Sequence, residues 1–217
     1  MTVPMIRFVN FVLYQLGWFC CVLGAAWQFP WLGMSIALGL VGIHFWLATD
    51  RATQLKLVLV AAVVGFVIDS TQLWVGVFTF PSGVVVEWLP PPWMSVLWMQ
   101  FATTFHYSMR WLSRHYTLSA CFGLAGAPLA FFAGERLGAV EFLSPRLTHY
   151  AFLALLWSVA VPLLIYVSDC LLARDPLGPS YHWLARSSQT RSQPWCAPRC
   201  RVDATHSVRD DHRITEQ

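Results

Sequence analysis

Six long apolar runs dominate this sequence and decide what the chain can fold into. They cover roughly residues 7–27, 31–49, 55–79, 93–112, 117–134 and 150–172. A helix needs about 20 apolar residues to cross about 30 Å of hydrocarbon, and each run is close to that length. Lipid offers no partner to an unpaired backbone N–H or C=O group, so each run is expected to be helical. The sequence therefore predicts an all-α, polytopic membrane bundle of about six transmembrane helices.

The placement of charge supports this fold class and divides the chain in two. Only 12% of the 217 residues are charged, against about a quarter in soluble domains. Of the 25 charged residues, 12 follow position 173. Residues 1–173 are therefore predicted to be a six-helix transmembrane domain. Residues 174–217, which hold little apolar sequence to bury, are predicted to be a disordered cytoplasmic tail.

Lysine and arginine residues near the ends of the runs predict the orientation. Arg136 and Arg146 fall on one side of the membrane. The other side receives the basic tail together with Arg7, Arg51, Lys56, Arg110, Arg114 and Arg174. The positive-inside rule then places both termini in the cytoplasm. The net charge of +3 is too small to suggest nucleic acid, and the predicted partner is the lipid bilayer.

Polar residues inside the apolar runs are the candidate functional residues. A charged group at the centre of a span costs about 2.5–3.5 kcal/mol on insertion scales. At their expected depths the candidates could form one polar track that holds a ligand or conducts protons. Its members are His44, Asp50, Asp69, Gln100, Thr103, Thr104, His106, Arg110 and Asp169. The alternative is that these groups only form hydrogen bonds that pack the helices together.

Small residues recur at four-residue spacing in the fifth run. They are Gly126, Ala130, Gly134 and Gly138, with Gly123 one turn earlier. Such a face allows two helix backbones to approach closely. It predicts helix packing, either within the chain, with a second copy or with another membrane protein.

The sequence shows no recognised motif for metal binding or catalysis. Cys196 and Cys200 do not have C-x-x-C spacing, and the other four cysteines lie in apolar runs. The sequence contains no H-E-x-x-H and no Gly-x-Ser-x-Gly motif. No metal and no cofactor are predicted, and the catalytic residues of an enzyme are not identified.

Several short motifs resemble a family of small multi-pass bacterial inner-membrane proteins classed as a domain of unknown function. The resemblance extends from about Trp18 to Leu164. It includes Pro30-Trp31-Leu32-Gly33, Asp69-Ser70, Phe101-Ala102-Thr103-Thr104, Arg110-Trp111-Leu112 and Gly126-Ala127-Pro128-Leu129. The resemblance implies a location in the bacterial inner membrane and an accessory role in membrane-lipid or fatty-acyl metabolism.

Two other functions stay open on the sequence. The first is a small-solute or proton pathway through the polar track, in which Asp69, His106 and Arg110 would take part. The second is an intramembrane enzyme that modifies lipids, with histidines and carboxylates as acid–base groups.

Overall fold

Six α-helices build the structure, a computed structural model in which residues 3–48 and 50–173 are described. The helices are α1 (Val3–Ala26), α2 (Pro30–Leu47), α3 (Arg51–Val75), α4 (Pro92–Ala102), α5 (Tyr116–Leu137) and α6 (Arg146–Ala173). A 3-10 helix (Arg110–Leu112) precedes α5, and two short strands, β1 (Phe78–Thr79) and β2 (Glu141–Phe142), follow α3 and α5. The prediction of an all-α bundle is confirmed. The predicted tail, residues 174–217, lies outside the described residues.

Five of these helices, all except α4, are long and apolar enough to cross a membrane. Local sequence explains where several of them begin and end. Pro30 occupies the first turn of α2, where its missing N–H leaves no hydrogen bond unmade. The Asp50 side chain accepts a hydrogen bond from Thr53 N at 3.2 Å and caps α3. Gly76 and Gly138, both with positive φ, end α3 and α5.

The fourth predicted span, residues 93–112, is not one continuous helix. α4 ends after 11 residues, which corresponds to a rise of about 16 Å, roughly half of the hydrocarbon core. The hydroxyls of Thr103 and Thr104 donate to the carbonyls of Gln100 and Phe101 at 2.7 and 2.6 Å. Such local bonds compete with the regular helical ladder. The fourth predicted run therefore does not form a full span: of the six described helices, five are long enough to cross a membrane.

The chain after α4 continues in turns that are buried inside the bundle. Thr103, Thr104, Phe105 and His106 are all buried. Irregular backbone at membrane depth is tolerated where protein, not lipid, surrounds it. The interrupted segment therefore occupies the place that a sixth span would take, shielded by its neighbours.

Close helix contacts depend on glycine at three places. A Cβ atom on Gly33 would lie 2.1 Å from the Cys20 carbonyl oxygen, so α1 and α2 pack backbone to backbone. A Cβ atom on Gly123 would lie 2.2 Å from the Trp157 carbonyl oxygen, which joins α5 to α6 in the same way. Gly65 on α3 accommodates the indole ring of α4 residue Trp98. α4 thereby sits in the middle, against α1, α2 and α3.

The two strands join the α3–α4 and α5–α6 connections at one end of the bundle, here called the strand end. They pair antiparallel, with Phe78 opposite Phe142. Arg146 and Glu135 form an ion pair of 3.1 Å at this end. The α2–α3 and α4–α5 connections lie at the other end, here called the opposite end.

Candidate functional site: an apolar groove with a polar end

A cavity of about 300 Å³ lies between α1 and α5, with α4 behind it. We call it the groove. α1 packs mainly on α2 and α4, and α5 packs mainly on α6, so the two helices leave this space between them. The lining residues are Phe11, Tyr14, Trp18, Val22, Phe80, Trp93, Met94, Leu97, Trp98, Phe101, Thr104, Ser108, Met109, Trp111, Phe122, Gly123, Gly126, Ala127, Ala130, Phe131, Gly134, Ala139, Val140, Trp157 and Val161.

The groove runs along the helices and reaches the outer surface of the bundle. On α1 it extends from Phe11 to Val22, a rise of about 16 Å, slightly more than one leaflet of the hydrocarbon core. Phe11 is 49% exposed and Phe122 is 38% exposed, so its wall is also part of the lipid-facing surface. None of the described residues that line it carries a charge. Its shape and lining suit a single hydrocarbon chain.

The small residues of α5 have different positions in the structure. Gly123 makes the close contact with α6 described above. Gly126, Ala130 and Gly134 line the groove, and Cβ atoms on the two glycines would meet only side chains, at 3.7 and 3.5 Å. Gly138 ends the helix with φ of 89°. Most of the stripe thus provides the width of the groove.

Three hydroxyl-bearing residues line the groove toward the opposite end: Tyr14, Thr104 and Ser108. Thr104 uses its hydroxyl hydrogen on the carbonyl of Phe101. Ser108 Oγ donates to Asn10 Oδ1 at 2.8 Å. Both hydroxyls keep acceptor lone pairs, because a hydroxyl has one hydrogen and two lone pairs. The phenol of Tyr14 has no hydrogen-bond partner among the described residues.

A buried hydrogen-bonded network lies behind this polar end. Asn10 Nδ2 lies 3.3 Å from His44 Nδ1, and His44 Nε2 lies 3.4 Å from Gln54 Oε1. Gln54 Nε2 in turn contacts His106 Nδ1. Asn10 also binds Ser108 through its Oδ1 atom, and the network thereby reaches the groove. Four separate segments, α1, α2, α3 and the turn after α4, are held together by these side chains.

Donors and acceptors in this network match when both imidazoles are neutral. Asn10 donates to His44 Nδ1, His44 Nε2–H donates to Gln54, and Gln54 donates to His106 Nδ1. His106 Nε2 then carries the remaining hydrogen and has no hydrogen-bond partner among the described residues. Removing any central member would leave buried polar groups unpaired.

Asp69 has a different partner. Its Oδ2 atom accepts a hydrogen bond of 2.8 Å from Trp98 Nε1, not from Gln100 or Thr104. Trp98 stacks on Trp157 with ring centroids 4.3 Å apart, and both indoles line the groove. Asp69 is fully buried behind this aromatic pair.

Other polar atoms near Asp69 lack partners among the described residues. They are Asp69 Oδ1, Ser70 Oγ and both amide atoms of Gln72. All three residues belong to the last turns of α3 and are buried. Buried polar groups are normally paired with protein or ordered water, so this part of α3 is the least satisfied polar region described.

Three of the remaining predicted residues, Gln100, Asp50 and Asp169, have hydrogen-bond partners outside both groups. Gln100 Nε2 donates to the Ala37 carbonyl at 2.8 Å and links α4 to α2. Asp50 caps α3. Asp169 accepts hydrogen bonds from Ser113 Oγ at 2.6 Å and Arg114 N at 3.2 Å. Arg110, half-buried, begins the 3-10 helix.

The structure thus brings together only part of the predicted polar track. His44, His106 and Thr103 meet in the network, while Asp69 and Gln100 have partners elsewhere. Asn10 and Gln54, which complete the network, were not among the predicted residues. Both are polar residues near the ends of apolar runs, where such residues are common and give a weak signal. Within the described chain, no group of three or more His, Cys, Asp and Glu side chains could hold a metal ion.

Comparison with known proteins gives a family and no activity. No curated protein and no solved structure is significantly similar to this chain. The family model that matches describes proteins of unknown function, and its match covers the groove, the network and nearly all of the helical bundle. Since the match includes residues 7–163, the chain belongs to the DUF2878 family.

Proposed function

We propose that this protein binds one lipid hydrocarbon chain in the groove and serves as an accessory protein in membrane-lipid metabolism. The observation that carries this proposal is the uncharged groove between α1 and α5, which opens on the lipid-facing surface. Its volume of about 300 Å³ falls at the lower end of the range of ligand sites, about 300–1,000 Å³.

The physical reason for occupancy is packing. Lipid tails are as apolar as the groove, so the hydrophobic effect does not drive a chain into it. An empty groove, however, deprives its lining atoms of dispersion partners. A hydrocarbon chain from the surrounding bilayer restores those contacts without desolvating any charge.

The proposal includes a location and an orientation. The protein is a multi-pass protein of the bacterial inner membrane with both termini in the cytoplasm, so that the opposite end faces the cytoplasm. The excess of arginine and lysine at that end supports this orientation. Reporter fusions at residues 53 and 115 should then report cytoplasm, and a fusion at residue 86 should report periplasm. A cytoplasmic signal at residue 86 would reverse the orientation.

Native mass spectrometry of the full-length protein tests lipid binding. The wild type should retain about one lipid per chain after release from detergent. Gly126→Leu fills the groove with a side chain whose Cβ meets nothing closer than 3.7 Å, so it should fold and lose that lipid. Gly39→Leu on α2 is the matched control, because a Cβ there meets nothing within 4 Å.

Three results would contradict the proposal. The first is a wild type that retains no lipid, and the second is equal lipid retention by the two variants. The third is a bound protein, in place of a bound lipid, as the species that the wild type carries and Gly126→Leu loses. The last result would favour the alternative that a second copy or another membrane protein packs on the small residues of α5.

A further inference from the structure

The polar end of the groove indicates which lipid it selects. Hydrocarbon chains are nearly equivalent as groove occupants, because every lipid in the bilayer supplies one. Discrimination between lipids therefore depends on the groups that meet the ligand's polar end. In the groove these are Tyr14, Thr104 and Ser108.

Two of these groups, Thr104 and Ser108, already donate their hydroxyl hydrogens within the protein. Unless they break those bonds, they can only accept a hydrogen bond from a ligand. The Thr104 hydroxyl hydrogen is committed to the Phe101 carbonyl at 2.6 Å. The Ser108 hydroxyl hydrogen is committed to Asn10 Oδ1 at 2.8 Å. Asn10 is itself fixed, because its Nδ2 atom donates to the Thr103 carbonyl at 3.1 Å. A ligand that meets these oxygens must bring its own hydrogen.

Tyr14 supplies the complementary group. It lies on α1 one turn after Asn10, on the same face of the helix, and its hydroxyl can donate as well as accept. The polar end therefore offers acceptors from two residues and a donor from a third. An alcohol can donate its single hydrogen to one of these acceptors and accept a hydrogen bond from Tyr14 with a lone pair.

Anionic polar ends fit this arrangement poorly. A phosphate or carboxylate oxygen brings only lone pairs toward the lone pairs of Thr104 and Ser108. Among the described lining residues there is also no Lys, Arg or His to compensate its charge, and an uncompensated charge in apolar surroundings is strongly disfavoured.

We infer that the groove takes a single-chain lipid with an uncharged, free hydroxyl group at its polar end, held at Thr104 and Ser108. This inference rests on the proposed function, since it specifies the ligand of the same groove. It assigns to Thr104 and Ser108 a selective role that is separate from the packing of the chain.

Photolabelling with three probes of equal chain length tests the inference. A long-chain alcohol, its methyl ether and its phosphate monoester, each with a diazirine in the chain, are added to the full-length protein in lipid nanodiscs. The alcohol should label the groove segments, residues 11–22 and 122–134, about three- to tenfold more than the methyl ether, as expected for one hydrogen bond. The phosphate monoester should label them least.

Variants separate selectivity from folding. Thr104→Val keeps the shape of the side chain and removes one of the two acceptors, so the preference for alcohol over methyl ether should fall. Thr103→Val is the matched control: Thr103 makes the same kind of local bond, to the Gln100 carbonyl at 2.7 Å, but does not line the groove. It should keep the preference.

Each outcome distinguishes the inference from the proposed function. Equal labelling by alcohol and methyl ether, a preference for the phosphate, or an unchanged preference in Thr104→Val overturns the inference and leaves chain binding intact. Failure of all three probes to label the groove segments overturns both.

Discussion

Alanine at Gly123 should weaken the bundle, whereas alanine at Gly126, one turn further along the same helix, should not. A Cβ at Gly123 would lie 2.2 Å from the Trp157 carbonyl oxygen and 2.8 Å from its carbonyl carbon. Both are backbone atoms, so no side chain can rotate away. At Gly126 the nearest atom outside the helix backbone is in the Phe122 side chain, at 3.7 Å. The two positions therefore lie on the same helix and differ in what an added Cβ atom would contact.

The size of the effect follows from this clash. Comfortable contact between non-bonded heavy atoms is about 3.5 Å, so α5 and α6 would have to separate by about 1 Å at Gly123, and such a gap forfeits a quarter to a half of each dispersion contact. Overpacking of this kind typically costs about 1–3 kcal/mol. Replacing a helical glycine by alanine also stabilises by about 1 kcal/mol. That gain applies to both variants and cancels when they are compared.

Thermal unfolding in one detergent measures the difference. With a shift of about 2–4 °C per kcal/mol, a scale taken from soluble domains of 150–250 residues, Gly123→Ala should unfold about 2–12 °C below Gly126→Ala. The midpoint can be followed by the loss of the monodisperse peak in size-exclusion chromatography. Equal midpoints for the two variants would refute the close backbone contact between α5 and α6.

Three further changes test the buried polar groups and the packing around them. Gly65→Ala should lower the thermal midpoint, because its Cβ would lie 2.0 Å from Cγ of Trp98, and Gly39→Ala, in open space, should leave the midpoint unchanged or higher. Gln54→Leu leaves buried histidine nitrogens without partners and should lower the free energy of unfolding by about 1–3 kcal/mol for each of them, measured by SDS titration. A stability equal to that of the wild type would mean that the network is not formed. Asp69→Asn should fold with a near-native thermal midpoint, since the amide oxygen can still accept from the indole N–H, and a large loss would show that the charge itself stabilises the bundle.

The sequence predicted the helices well because hydropathy reports them directly. The run at residues 117–134 corresponds to Tyr116–Leu137, and the run at 150–172 corresponds to Arg146–Ala173. A hydropathy value, however, is a sum over a window of residues. It does not show that the hydroxyls of Thr103 and Thr104 donate to backbone carbonyls one turn earlier. For this reason the break after Ala102 was not predicted.

The site was predicted less well, because the sequence does not give the rotation of each helix about its own axis. Depth along a helix follows from counting residues. Which way each helix turns about its axis depends on packing against its neighbours. That rotation brings Gln54 between the two histidines and turns Asp69 toward an indole. Likewise, the small residues of α5 indicated close approach, but not that part of the space would be left open.

The shortness of α4 also constrains how this protein can be made. A helix of 11 residues does not cross the hydrocarbon core, and without neighbouring helices the turns after it would expose backbone groups that lipid cannot satisfy. We therefore expect this segment to be unstable by itself in a bilayer, in contrast to the five longer helices. We expect it to insert together with neighbours that cover it, and α1, α2 and α3, which precede it in the chain, are the helices against which it packs. Because α1, α2 and α3 precede α4 in the chain, they are made before the segment that they cover. A circular permutation that places α4 before them would leave this segment uncovered during biosynthesis.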